Sequence, residues 1–185
     1  MDSRRQEILN AALRCFSMNG FHRTTMRDIF QESGLSAGAV YNYFPNKKAL
    51  IEAVAQKDRE TNESAFAGAM TKSDAVEAFN KIIDLYFNSL KEMAKTGEVR
   101  IGVTVAAEAA VDPEIMASVA GARSELRAAL EHLANQLVSS PERQVKASAF
   151  AELLLSVYQG LQMSLAMGEK VDVESVADLL RRMKF

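Results

Sequence analysis

The sequence predicts an all-α protein, and three observations carry that expectation. Apolar residues recur at helical spacing along most of the chain. Ser, Thr, Asp or Asn start signals and Gly or Pro stops divide it into segments of helix length. No alternating pattern of any length marks a strand. Three prolines, nine glycines and no Trp among 185 residues suit such a chain. About nine helices are expected, as an N-terminal three-helix helix-turn-helix domain followed by a larger helical domain.

From Arg4 to Asn19, Ile8, Leu9, Ala12, Cys15 and Phe16 mark one helical face, and Gly20 is placed to end that helix. Thr25 and Asp28 form a Thr-x-x-Asp start: the threonine oxygen can cap orphan amides, and the acid favours the positive helix end. Gly34 stops this second helix. Ser36 starts a third, predicted to run through Val40 to Phe44, because Pro45 disfavours helical backbone in the residue before it. Asn46 caps a fourth helix, Lys47 to about Met70. Three short helices with a Gly-centred turn between the second and third match the helix-turn-helix arrangement.

Longer helices follow. Between Asp74 and Ala94, Val76, Phe79, Ile83, Tyr86 and Leu90 mark a face widened by Ile82, Phe87 and Met93, and Gly97 ends it. An Ala/Val-rich stretch spans Val99 to Val111. Asp112-Pro113 then reads as an N-cap with proline at the first helical position. The helix it starts presents Met116, Val119, Leu126, Leu130, Leu133 and Leu137. Ser140-Pro141 repeats that signal for a helix from Glu142 to Met167, with Phe150, Leu153, Leu154, Val157, Tyr158, Leu161 and Leu165 on a wide apolar face. Gly168 ends it, and Asp172 to Met183 forms a last helix expected to bury Val173, Val176, Leu179 and Leu180. The domains divide as residues 1–46 and 47–185.

Charge separates the same two parts. Residues 1–50 hold seven Lys/Arg against four acids, a net of +3, while the remainder holds 15 against 20, a net of −5. A basic head on an acidic body suits a protein of which only the head meets phosphate. No stretch approaches the roughly 18 apolar residues of a membrane span, so no membrane partner is expected. The N-terminus, Met1-Asp2-Ser3-Arg4-Arg5-Gln6, has no apolar core or cleavage site, which argues against a secretory signal. One cysteine excludes an internal disulfide framework and fits a reducing cytoplasm. At Cys15 it occupies an apolar position, where a buried inert thiol is expected rather than a redox sensor. His22 and His132 have no companion ligand cluster, so neither metal nor cofactor is expected, and no nucleophile–base constellation or HExxH motif points to an enzyme.

Thr24-Thr25-Met26-Arg27-Asp28-Ile29, followed by Ser33-Gly34-Leu35-Ser36-Ala37-Gly38-Ala39-Val40-Tyr41-Asn42-Tyr43-Phe44-Pro45-Asn46-Lys47-Lys48-Ala49-Leu50, resembles the signature of TetR-family regulators. Ile8-Leu9-Asn10-Ala11-Ala12, Phe16 and Gly20-Phe21 resemble the family's first helix. The likeness is dense over residues 8–54 and beyond them rests on length, helicity and the Asp112-Pro113 junction. It implies a homodimeric, ligand-responsive transcriptional repressor reading half-sites of a palindromic operator on double-stranded DNA. By this resemblance Thr25, Tyr43 and Lys47 would grip the DNA backbone. Arg27, Ala37, Gly38, Ala39, Tyr41 and Asn42 would lie in or near the groove, with Ser36 at the start of the recognition helix. Physical chemistry agrees: Ala37, Gly38 and Ala39 let a helix N-terminus approach base edges, and an Ala methyl can pack on a thymine methyl. Val40 and Phe44 should face the three-helix core.

Two positions depart from the family pattern. Phe30 stands where Ala is usual, and a ring there is expected to widen the helix crossing or shift the recognition helix. Asn42 replaces a common histidine, and its amide suits adenine.

In the body, Tyr86, Phe87, Met116 and Tyr158 are candidates for a ligand pocket, and each equally suits ordinary core. Glu108 joins them: buried, it would have to be paired, whether by a cationic ligand or otherwise; alternatively it is an exposed acid near a helix end. Core aromatics and methionines suit an apolar or amphipathic effector. Gly160 costs about 1 kcal/mol relative to Ala inside a helix. Close helix approach would account for it, since family bodies dimerise through the last two long helices. A DNA-bound adaptor with a closed body is the rival reading, and activation instead of repression stays open.

Overall fold

The computed structural model describes residues 3–70, 74–137 and 147–183, and among them the secondary structure is nine α-helices. The head holds α1 (Ser3–Asn19), α2 (Met26–Ser33) and α3 (Ala37–Tyr41). The rest is α4 (Lys47–Met70), α5 (Ala75–Thr96), α6 (Val99–Ala109), α7 (Pro113–Leu137), α8 (Ala147–Ala166) and α9 (Val173–Arg181). The Ser140-Pro141 start signal lies outside the described residues. No helix among them is long and apolar enough to cross a membrane.

The caps form as the residue types require. Thr25 and Asp28 make a reciprocal capping box: Asp28 N–H donates to Thr25 Oγ1 at 3.2 Å and Thr25 N–H to Asp28 Oδ2 at 2.7 Å. Ser36 Oγ accepts from Ala39 N–H at 3.3 Å, and Asn46 Oδ1 from Ala49 N–H at 2.9 Å. Asp112 receives the amides of Glu114 and Ile115 at 2.8 and 3.2 Å, and Asp172 that of Ser175 at 3.0 Å. Gly34 takes φ 68°, a left-handed value that L side chains rarely adopt, at the turn between α2 and α3. The third helix is shorter than predicted. It ends at Tyr41, and the Tyr43 and Phe44 amides both fold back on Val40 O in a turn. Pro45 has no N–H to offer the Tyr41 carbonyl one turn earlier, and its ring would clash there in a continued helix.

Two apolar cores result. The first joins Ile8, Leu9, Phe16, Ile29, Val40 and Phe44 of the head to Leu50, Ile51 and Val54 of α4. It continues into Ile101, Val105 and Ala109 of α6 and Ile115 of α7. The second packs α5, α7, α8 and α9 around Phe79, Ile83, Leu90, Leu133, Phe150 and Ala177. Since α6 gives Val99 to the second core and three residues to the first, it is the wall the two share.

Several body positions differ from expectation, Val76 of α5 among them at 59% exposure. Met116 is 46% exposed because Ile115, one residue and about 100° round the helix, takes the buried place. Leu153 and Leu179 are also exposed, the buried face of α9 being closed by Ala177 and Leu180. A Cβ on Gly160 would meet nothing within 4 Å, so no helix of the same chain presses on it.

Candidate nucleic-acid interface and effector cavity

Helix α3 buries Val40 and Phe44 behind it and turns Ala37, Gly38, Tyr41 and Asn42 outward. Ala39 is half-buried beside them. Arg27 stands exposed on α2, and Thr25 and Ser36 sit exposed at the starts of α2 and α3. These residues therefore share the outer surface of the helix-turn-helix. Tyr43 is half-buried and packs on the head core. Phe30 lies edge-on to Tyr41, with ring centroids 5.2 Å apart and planes at 71°. The extra ring thus backs the Tyr41 ring, and α2 and α3 remain in contact.

Lys47 is committed more than its sequence position implied. Its Nζ donates to Phe21 O at 2.7 Å and His22 O at 3.4 Å, and lies 4.5 Å from the Phe21 ring centroid. It straps the turn after α1 to the start of α4. Thr24 does similar work from inside, its buried hydroxyl shared between Gly20 O at 2.7 Å and Cys15 O at 3.1 Å. Cys15 is buried, which raises its thiol pKa and disfavours the reactive thiolate. The Asp28 carboxyl is held below its usual range, chiefly by the backbone N–H of Thr25.

The body contains a cavity of about 580 Å³, within the size range of small-molecule sites. Helices α4 to α8 line it, and Leu13 of α1 reaches it. Tyr86, Phe87 and Tyr158 are on its wall, the two tyrosine rings edge-on at 5.6 Å. Met116 and Glu108 are not. Met116 faces outward for the reason given above. Glu108 is buried, but its carboxylate turns to the head, where Oε1 lies 3.0 Å from His22 Nε2. The partner of this buried acid is thus a histidine 86 residues earlier, with no local pattern to link the two.

That contact is one of several from body to head. Just before α6, Gly97 O accepts from Ser17 Oγ of α1 at 2.6 Å. Within the body, Lys48 bonds Asp112 at 3.1 Å and also Glu114, tying α4 to the start of α7. The Glu114 bond is the main cause raising the Lys48 pKa, and the Lys48 bond the main cause lowering that of Asp112. No local signal pairs Lys48 with a carboxylate, since the helix that answers it begins 65 residues later.

A helix-turn-helix whose reading helix is small-residued and exposed, joined to a helical body with a ligand-sized cavity, defines a one-component DNA-binding regulator. The chain belongs to the TetR family of bacterial regulatory proteins: that family's N-terminal model matches residues 8–54, and the C-terminal model of BetI-type transcriptional repressors matches residues 75–183. It is a DNA-binding transcriptional regulator of the repressor type and not an enzyme. It is 26% identical over 183 residues to the HTH-type transcriptional regulator UidR of Escherichia coli K12, covering 98% of this chain and 86% of that one. It is 34% identical over 98 residues to the regulator TtgR of Pseudomonas putida, covering 51% and 46%. Among solved structures it resembles Salmonella enterica GusR, with TM-score 0.76, 27% identity, and 98% and 94% of the two chains covered. The fold is shared with Bacillus subtilis FadR in complex with stearoyl-CoA, at TM-score 0.78 and 14% identity over 95% of each chain.

Proposed function

We propose that this protein is a cytoplasmic homodimeric repressor, released from a palindromic operator when an apolar or amphipathic molecule enters the body. The observation that carries the reading is the double attachment of α6. One face of this helix lines the cavity through Ile101, Gly102, Val105 and Ala106. Its two ends are bonded to the head through Gly97–Ser17 and Glu108–His22. A ligand that displaces α6 therefore acts on the head without any further mechanical part. A near-complete switch requires the effector to favour the released arrangement by on the order of 5 kcal/mol. The cavity also favours this reading over an adaptor, which would need no hollow body.

On DNA, Arg27, Ala37, Gly38, Ala39, Tyr41 and Asn42 are assigned to the groove, and Thr25, Ser36 and Tyr43 to the backbone. Lys47 joins the backbone contacts through the third of its three N–H donors, and residues 1–46 act as the reading unit. Dimerisation through the last two long helices, α7 and α8, is supported by exposed Leu153, Met163 and Met167, spaced for one helical face around Gly160, with Leu179 and Met183 also exposed. The open space above Gly160 lets a partner backbone approach closely. Stearoyl-CoA in the B. subtilis neighbour fits an amphipathic effector for this fold.

Binding of the purified protein to the DNA upstream of its own gene, against random duplex at moderate salt, tests the reading. A clear preference, at a stoichiometry of one dimer per site, is the expected result. Equal affinity for both would overturn it.

A further inference from the structure

The wall of the cavity is mostly hydrocarbon, with a few charged groups among it. They are two cations, Lys57 and Arg123, and one carboxylate, Glu98. Glu98 is exposed beside the N-terminus of α6, whereas the two cations are half-buried. Arg123 is fixed in place by a carboxylate. Its Nη2 donates to Glu152 Oε1 at 3.2 Å, and the other oxygen of that carboxylate is taken by Arg127. One carboxylate thus serves two guanidiniums, of which that of Arg123 lines the cavity. A guanidinium has five N–H donors in a planar fork, and Glu152 takes one from Arg123.

We propose that the effector is an amphipathic organic anion, its hydrocarbon body among Phe87, Leu126, Leu130 and Leu154 and its acid group on Arg123. The inference rests on the effector-binding reading above and names its ligand class. At 37% side-chain exposure the Arg123 guanidinium stands between cavity and solvent, so an acid there keeps part of its hydration. It gains charge-assisted bonds to a donor already oriented by Glu152. A cationic amphiphile would instead bring its charge against the Arg123 guanidinium. A neutral one would fill the same hydrocarbon and make no charge-assisted bond to Arg123.

Three probes of equal chain length separate these cases on the full-length protein: decanoate, decanol and decyltrimethylammonium, each below its micelle concentration. By calorimetry and thermal shift, decanoate should bind about tenfold or more tighter than decanol, with the ammonium weakest. Arg123→Gln should bring decanoate down to the decanol level, and Arg123→Lys should retain part of the preference. Unchanged decanol binding in both variants shows that the cavity is intact. Equal binding of decanoate and decanol, preference for the ammonium, or no binding by any of the three would overturn the inference. Operator affinity is measured on the same preparations without amphiphile. If it persists while the anion preference is absent, the ligand class fails and the repressor reading stands; loss of operator preference sinks both.

Discussion

In the head, Ile8, Leu9, Phe16, Ile29 and Val40 are each sealed to 1% exposure or less, around helices of 17, 8 and 5 residues. In the body, helices of 20 residues or more stand around about 580 Å³ of unfilled space and leave Leu153, Met163 and Leu179 exposed. The first is packed for rigidity, the second hollow inside and apolar outside. A rigid reading unit keeps α3 in register with the groove. A hollow body has empty space through which a ligand can rearrange helices without first breaking a dense core. The helix shared by both cores, α6, joins the two designs.

This contrast can be broken by mutation. Phe16→Ala should cost about 3–5 kcal/mol in denaturant unfolding, since nothing in the sealed head can collapse into the void. Leu154→Ala, on the cavity wall, should cost nearer 2 kcal/mol, because part of its surface already borders empty space. Equal costs at the two sites would end the distinction. Thr25→Ala removes one half of the capping box and should cost about 1 kcal/mol, together with a loss of operator affinity. Retained affinity would confine Thr25 to holding α2.

His22→Ala tests the joint between the two parts. It leaves Glu108 buried beside open solvent, so its stability cost should be no more than about 1 kcal/mol. Its larger effect should be on coupling: effector concentrations that release the parent protein should release this variant less well. Unaltered release would remove Glu108–His22 from the linkage. The smallest effect is that of acid. Asp28, Asp112 and Asp172 have folded-state pKa values below those of the unfolded chain, through Thr25 N–H, Lys48 and Ser175 N–H respectively. Their stabilisation is therefore present at neutral pH and lost as pH falls through the folded values, below the usual carboxylate range. Thermal melts across that range should show a decline that Asp172→Asn partly suppresses.

Much of the head was legible before the fold was known. Thr25, Asp28, Gly34, Ser36 and Asn46 act on amides within three residues, so their roles are written in local spacing. So was the inward turn of Val40 and Phe44, fixed by helical period against a neighbouring helix start. In the body, Tyr86, Phe87 and Tyr158, which their apolar stripes left between pocket and ordinary core, are on the cavity wall, whereas Met116 faces outward and Glu108 is buried and paired toward the head. A helical face about 100° wide holds both Ile115 and Met116, and only the packing of α4 and α6 decides which is inside.

The sequence by itself determined the all-helical class, the caps and stops of most helices, and the small-residued start of the third helix. All of these depend on backbone groups a few residues away. Tertiary structure alone decided that Glu108 meets His22, that Lys48 meets Asp112, that Arg123 shares Glu152 with Arg127, and that the body is hollow. Each of these depends on where helices far apart in the chain come to rest. That is set by the summed fit of many side chains, which no local pattern encodes.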